Sequence, residues 1–417
     1  MAHARPAYRP PHAPQSRRLP QRVYWFRRAV VLLALATIVV VGYLGITLGF
    51  ALGNPSYGVS YAARAAEWGR QHGFGAVVTW AEDEYYSHHP PTVGGQPSAS
   101  AFGSGPTSAV YPPGATYLPA PTRITSPAKD ELAGEGVWHV FGRRTANGVP
   151  AMYEAFVRPD AVHTSYVVGV VWMDPLVLSA RLYSGSQIPG GGPFAYSAPI
   201  SARASENLVA AFNAGFLVQD DEGGYYTQGK TVVPLRDGAA SVVIFKDGTM
   251  SVGQWGTNFT MSNQIDSVRQ NLDLIVSDAK PVPGLTNPDA AKWGLVLGNS
   301  FYVWRSGLGE TADGALIYVG GPSLSISDLA NIMVRAGAEW AMELDINTDW
   351  VQFSGYSAPL NTMINGAYGT SLLASMPGTP SRYFESYWAR DFFTMSLRSG
   401  ETTPGSSSST TTTSPSG

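Results

Sequence analysis

The sequence predicts an α+β fold, a mixed, strand-rich sheet with a few packed helices, preceded by one transmembrane helix. Three observations carry this. Glycine (46) and proline (31) are abundant while charged residues make up only 14% of the chain, a balance unsuited to a helical bundle whose outer faces need charge. Short β-branched or aromatic runs recur between turn signals. Residues 29–52 form a 24-residue stretch without a single charge.

That uncharged stretch is long enough to cross a hydrocarbon core of about 30 Å. A cleaved signal peptide would have a shorter apolar core, roughly 7–15 residues, and an A-x-A-like site, and neither is present. Seven arginines (Arg5, Arg9, Arg17, Arg18, Arg22, Arg27, Arg28) and no acid lie in residues 1–28, with Tyr24 and Trp25 near the boundary. Positive flanks stay inside, so the expected topology is single-pass in the plasma membrane, with a cytosolic tail at 1–28 and everything after 52 extracellular. The lipid bilayer is then one partner, through residues 29–52. The net charge of −3 hides an asymmetry, because the chain beyond residue 28 holds 20 basic and 30 acidic groups. An acidic body of this kind lacks the basic footprint that nucleic acid requires. With no cysteine, thiolate zinc sites, iron–sulfur clusters and Cys nucleophiles are excluded.

After the anchor, residues 53–130 read as a juxtamembrane helix and a linker. Tyr61, Ala65 and Trp68 fall at i, i+4 and i+7, predicting a helix over 57–72 with Gly73 as its C-terminal cap. Residues 87–130 contain nine prolines and predict an extended linker or loosely held loop, in which His88 and His89 are solvated. The main body spans 131–398. Strands are expected at 165–173, 206–212, 241–245, 295–304, 315–319 and 340–346, with hairpin turns at Asp247-Gly248 and Asp313-Gly314. Ser325 and Asp328 form a capping box for a helix over 325–336, closed by Gly337. The Ser/Thr-rich end, 399–417, reads as disordered.

Side chains alternate across a strand, so within 340–346 Met342, Leu344 and Ile346 should face the core, and Glu343, Asp345 and then Asn347 the other side. Two carboxylates at i and i+2 can act as an acid/base pair, or can simply sit on a solvated face. Arg305 enters a loop with Gly307 and Gly309; a guanidinium fork beside close-approaching backbone amides suits a phosphate. Asn213, followed by Ala214 and Gly215, breaks a strand, for turn geometry or for substrate. No His-Glu-x-x-His or Gly-x-Ser-x-Gly occurs, and His139 and His163 have no partner at ligand spacing, so no metal site is expected and any cofactor is left open.

Taken in order, four of these blocks resemble the phosphodiester glycosidase family, whose best-known members remove a capping N-acetylglucosamine from the mannose-6-phosphate signal. Asn213-Ala-Gly-Phe216 resembles its Asn-Gly-Gly-Phe segment, and the Asp247-Gly248 hairpin follows. Arg305-Ser-Gly-Leu-Gly309 with Asp313-Gly314 resembles its Arg-Thr-Ala-Ile-Gly block and turn. The helix at 325–336 leading to Ala341-Met-Glu-Leu-Asp345 resembles its helix and Leu-Asp-Gly-Gly-Gly-Ser strand end. The likeness spans about residues 200–370 and is greatest to the membrane-anchored, actinobacterial version of the family. It departs after Asp345, where Ile346-Asn-Thr-Asp-Trp350 replaces the glycine-rich turn and Thr348 is left to supply the hydroxyl. The resemblance implies a hydrolase of sugar-1-phosphodiester linkages in envelope glycans. In it Arg305 holds the phosphodiester and Asp345 or Glu343 handles the proton. Asn213, Gly215, Gly307, Gly309, Asn347 and Thr348 then contact the sugar-phosphate. The alternative is a catalytically inactive glycan- or sugar-phosphate-binding module in envelope biogenesis.

Overall fold

The structure, a computed structural model, describes residues 20–107, 111, 116–286, 293 and 302–403. The chain divides into two units, Met1–Gly53 and Asn54–Gly417. The first contains helix α1 (Gln21–Gly53), 33 residues with a mean hydropathy of 2.7 in its most apolar window. At 1.5 Å per residue it is about 50 Å long, more than a membrane crossing needs. The Thr37 and Thr47 hydroxyls donate to the carbonyls of Leu33 and Tyr43, so even its polar side chains are satisfied within the helix. The helix starts eight residues before the uncharged stretch and takes in Arg22, Arg27 and Arg28. Its length and composition suit a single-pass anchor or a signal sequence. Most of the basic tail lies outside the described residues.

The second unit opens with two helices, α2 (Tyr61–Gln71) and α3 (Gly75–His88). Ser60 caps α2 by accepting from the Ala63 amide. A short helix α4 (Ala202–Ser205) follows much later in the chain. Three antiparallel sheets make up the rest. The largest runs, in spatial order, β1 (His139–Arg144), β2 (Pro150–Val157), β3 (Val168–Met173), β14 (Leu316–Leu324), β13 (Val303–Thr311), β15 (Ala338–Ile346), β11 (Leu274–Ser277), β12 (Lys280–Pro281). A second comprises β7 (Lys230–Val233), β6 (Tyr225–Thr227), β10 (Ile265–Gln270), β8 (Ala240–Phe245) and β9 (Met250–Gln254). The third comprises β17 (Gly369–Ser371), β16 (Phe353–Tyr356), β5 (Leu208–Asn213), β18 (Phe392–Leu397) and β4 (Leu178–Tyr183).

The eight-stranded sheet is buried on both faces. One face meets the two smaller sheets in a core that includes Met342, Leu344, Phe212, Phe353, Val242 and Ile244, with Phe212 and Phe353 stacked at 5.3 Å. The other carries helix α5 (Ile326–Arg335) through Leu329, Ile332 and Met333. Strands buried on both faces read as continuous apolar runs, which is why β3 is visible in the sequence as VGVVWM. The capping box forms as predicted: Ser325 Oγ accepts from the Asp328 amide at 3.1 Å, and Asp328 Oδ2 from the Ser325 amide at 3.0 Å. Asp247-Gly248 joins β8 to β9, and Asp313-Gly314 joins β13 to β14.

Three expectations are corrected. Residues 304–310 are not a loop: Arg305, Gly307 and Gly309 are all inside β13, paired on both sides. Of the strand expected at 295–304, residues 295–301 lie outside the described residues. Helix α3, not expected from the sequence, packs back on α2 through Phe74 and Trp68, whose rings stack at 5.8 Å. The Pro-rich stretch is extended but not loose. The Ile124 amide donates to Gly136 O, the Val140 amide to Pro106 O and the Leu118 amide to Asp174 Oδ2, while Phe102 and Ile124 are buried. Proline removes donors from the strap itself, but the body's own amides and carbonyls hold it. Of the Ser/Thr-rich end, residues 404–417 lie outside the described residues.

Candidate active site

The site is built where β13 and β15 lose their regular pairing. Gly307 faces Glu343, but Arg305 faces Ile346, so three residues of β15 span what two span on β13. Such a β-bulge re-aims side chains. Ser306 closes it: its Oγ accepts from the Asp345 amide at 3.2 Å and donates to Asp345 O at 3.0 Å. The simple alternation fails at this point. Met342 and Leu344 do enter the inter-sheet core, but Ile346 turns away from them to pack beside the α5 cluster and line a cleft.

Asp345 forms part of the wall of that cleft, about 610 Å³ in volume. Ile346, Asn347, Trp350 and Arg390 line it on the sheet side, and Glu67, Arg70, Thr79 and Glu82 on the α2–α3 side. Burial pushes the Asp345 carboxyl up to about 8; Arg390 pulls it down, while Asp391 and Glu343 add to the rise. Arg390 lies over the Trp350 ring at 4.2 Å, with Nη2 3.7 Å from Glu67 Oε2 and Nη1 without a partner among the described residues. Asp391, next in sequence, accepts from Arg269 Nε at 2.7 Å, and Arg269 also holds Asp221 and the Phe216 carbonyl. This buried cluster fixes one side of the cleft, since Phe216 and Leu217 also line it.

Glu343 is placed elsewhere. It is fully buried and accepts from Arg305 Nη1 at 2.5 Å; its second oxygen has no partner among the described residues. Burial pushes its carboxyl up to about 7 against the pull of the Arg305 guanidinium. Arg305 is 1% exposed and spends its remaining bonds on the Leu324 and Trp293 carbonyls, at 3.0 and 3.3 Å. The expected substrate clamp is thus an interior ion pair, and Glu343 and Asp345 do not share the cleft. The two glycines are packing positions. A Cβ at Gly307 would sit 2.9 Å from Met333 Cε and from Met342 O, and one at Gly309 2.9 Å from Trp340 O.

Asn213 is buried behind the bulge. Its Oδ1 accepts from the Tyr318 hydroxyl at 3.0 Å and the Gln352 amide at 3.1 Å, and its Nδ2 donates to Ser306 Oγ at 3.0 Å. It therefore supports Ser306, which holds Asp345, rather than marking a turn. Gly215 is buried where a Cβ would come within 3.1 Å of Asn271 Oδ1 and 3.2 Å of Arg269 Cζ. Asn347 does reach the cleft, and its φ of 116° supplies in a non-glycine residue part of what a glycine-rich turn would provide. Thr348 is half-buried and is not part of the lining. Among the described residues no group of three or more His, Asp or Glu is placed to hold a metal ion.

With the geometry in place, the decisive comparison is with protein families. The family model described as phosphodiester glycosidase matches residues 206–345. The chain resembles the phosphodiester glycosidase family over this stretch. The match ends on Asp345 and contains Asn213, Arg305 and Glu343, while Arg390 and the α2–α3 wall lie outside it. Among solved structures, the catalytic domain of zebrafish N-acetylglucosamine-1-phosphodiester alpha-N-acetylglucosaminidase, auto-inhibited by its pro-peptide, is 13% identical with a TM-score of 0.38. The alignment covers 62% of this chain and 87% of that one. A hypothetical protein from Synechocystis is 12% identical with a TM-score of 0.32, covering 61% and 63%. A search of the curated proteins finds no match.

Arg390, Asp391, Glu67 and Arg70 were missed by sequence reasoning. One signal was there to use: an Arg-Asp pair set directly against the apolar run Phe392–Leu397 has to be satisfied by burial partners.

Proposed function

We propose that the chain is a membrane-anchored, extracytoplasmic hydrolase of sugar-1-phosphodiester linkages in envelope glycans, with its site at Asp345. The observation that carries this is a carboxyl held up at about 8, in a cleft, beside a guanidinium that keeps a free N–H. At neutral pH Asp345 is protonated and can donate to the leaving phosphate oxygen, while Arg390 balances the charge that develops there. The phosphate is already a good leaving group, so one acid and one cation suffice to lower the barrier. Asn347 lies within the lining and is assigned to the sugar; Arg305, Glu343 and Asn213 act through the position of β15. Helix α1 is assigned as the anchor and the unit after it as extracellular, on the strength of the flanking arginines.

The test is release of reducing sugar from a panel of sugar-1-phosphodiesters, including a nucleotide sugar, followed by chromatography. Asp345→Asn and Arg390→Gln should each abolish release, and wild-type rates in either variant would remove that residue from the site. The second reading, a sugar-phosphate-binding module, is favoured by the bulky Ile346 and Trp350 that line the cleft where the family has glycines. Binding of panel members in calorimetry without release would establish it.

A further inference from the structure

The two helices that wall the cleft have a second face. Outside α1, thirteen large apolar side chains of the described residues are exposed, and six belong to residues 59–85: Val59, Tyr61, Phe74, Val77, Trp80 and Tyr85. In α3, Gly75, Thr79 and Glu82 face the cleft. At 100° per residue Val77 and Trp80 are on the opposite side, 58% and 65% exposed. In α2, Glu67 and Arg70 face the cleft and Tyr61, 72% exposed, points roughly the other way. The hairpin thus presents charge to the cleft and an aromatic and aliphatic face outward.

What covers that face is indicated by the chain itself. Tyr61 follows the last residue of the apolar helix α1 by eight positions, a tether of roughly 29 Å at full extension. Any bilayer that holds α1 therefore holds the hairpin close to its surface, where tryptophan and tyrosine side chains are most stable. We propose that the outer face of α2–α3 lies in the lipid interface, and that the cleft takes a sugar phosphodiester carried on a membrane lipid. This rests on the anchored-hydrolase reading above. It goes beyond that reading by naming the carrier: the same hairpin that walls the cleft keeps it at headgroup depth, so the substrate arrives from the membrane and not from solution.

The chain has no cysteine, so Val77→Cys and, as control, Val93→Cys can each carry a single nitroxide label on the full chain in phosphatidylcholine vesicles. The label at 77 should be relaxed preferentially by oxygen, and the label at 93 by a water-soluble nickel chelate. Equal nickel access at both positions overturns the interfacial placement, as does a label at 77 shielded from both reagents, the mark of a protein partner. The second arm compares Trp80→Ser with wild type on a polyprenyl-linked sugar phosphodiester in vesicles and on a short water-soluble one. Loss of roughly tenfold on the first alone, about 1.4 kcal/mol of interfacial binding, is expected. Equal loss on both, or wild-type hydrolysis of the soluble diester alone, overturns the lipid-borne substrate. No hydrolysis of either by wild type fails the hydrolase reading instead, and the labels still decide the hairpin's placement.

Discussion

Replacing Arg305 with alanine tests whether its guanidinium is a substrate ligand or an interior strut. Arg305 and Glu343 are 1% and 0% exposed and meet at 2.5 Å, so neither can turn to water when the other is removed. Breaking a buried pair by removing one partner costs about 3–5 kcal/mol, whereas replacing both by apolar groups of similar volume is near neutral. Arg305→Ala should therefore cost about that much near pH 8, and less near pH 5.5, where the stranded carboxyl is protonated. Arg305→Met/Glu343→Leu should recover most of it. The assay is equilibrium urea unfolding in mild detergent, followed by tryptophan fluorescence. A single-variant cost under about 1 kcal/mol, or single costs that simply add in the double variant, would refute the strut. Sugar release lost in the double variant despite restored stability would put Arg305 back in contact with substrate.

Asp345 gives a pH-dependent prediction. Its folded value is raised to about 8 from 3.8, so the native state binds the extra proton and the resulting stability is present at low pH and lost as pH rises through about 8. Asp345→Asn should accordingly gain on wild type by a few kcal/mol between pH 5 and pH 9 in the same urea assay, since each tenfold difference in proton affinity between the folded and unfolded chain is worth about 1.4 kcal/mol. Acting as the acid, Asp345 should also make kcat fall above about pH 8, and a rate that rises there would assign it as a base. Ser306→Ala removes the hydroxyl shared by Asn213 and the Asp345 backbone; about 1–3 kcal/mol of stability should go, with kcat reduced and KM little changed. Gly307→Ala drives a methyl to within 2.9 Å of Met333 Cε and Met342 O, costing about 1–3 kcal/mol as a drop in urea midpoint.

The parts of the fold legible in the sequence were those set by local chemistry. The Ser325/Asp328 cap, the two Asp-Gly hairpins and the apolar runs of β3, β5 and β8 depend on neighbours within a few residues. The order of the family motifs located the site region. What escaped depends on contacts distant in sequence. Nothing local announces a bulge whose cause is the Ser306 hydroxyl on another strand, and so simple alternation puts Ile346 on the wrong face. Arg305 looks like a phosphate ligand beside glycines until those glycines prove to be the places where α5 and β15 press on β13. Arg390 owes its position to Trp350 and Glu67, forty and more than three hundred residues away. Helix α3 escaped because its outer apolar residues break the one-sided periodicity by which a soluble helix is found.

The strap between the hairpin and the body has a mechanical consequence. A pull transmitted from the N-terminal side does not meet a slack stalk. It meets Ile124 bonded to Gly136, and Arg123 gripping the Glu135 carbonyl at 2.9 Å. Glu135 is itself locked to Arg158 and Ser126 in the interior. Load is thereby spread into the edge of the eight-stranded sheet before it reaches β13 and β15. Under tension the strap would have to peel away bond by bond, and the bulge that aims Asp345 would feel the strain last.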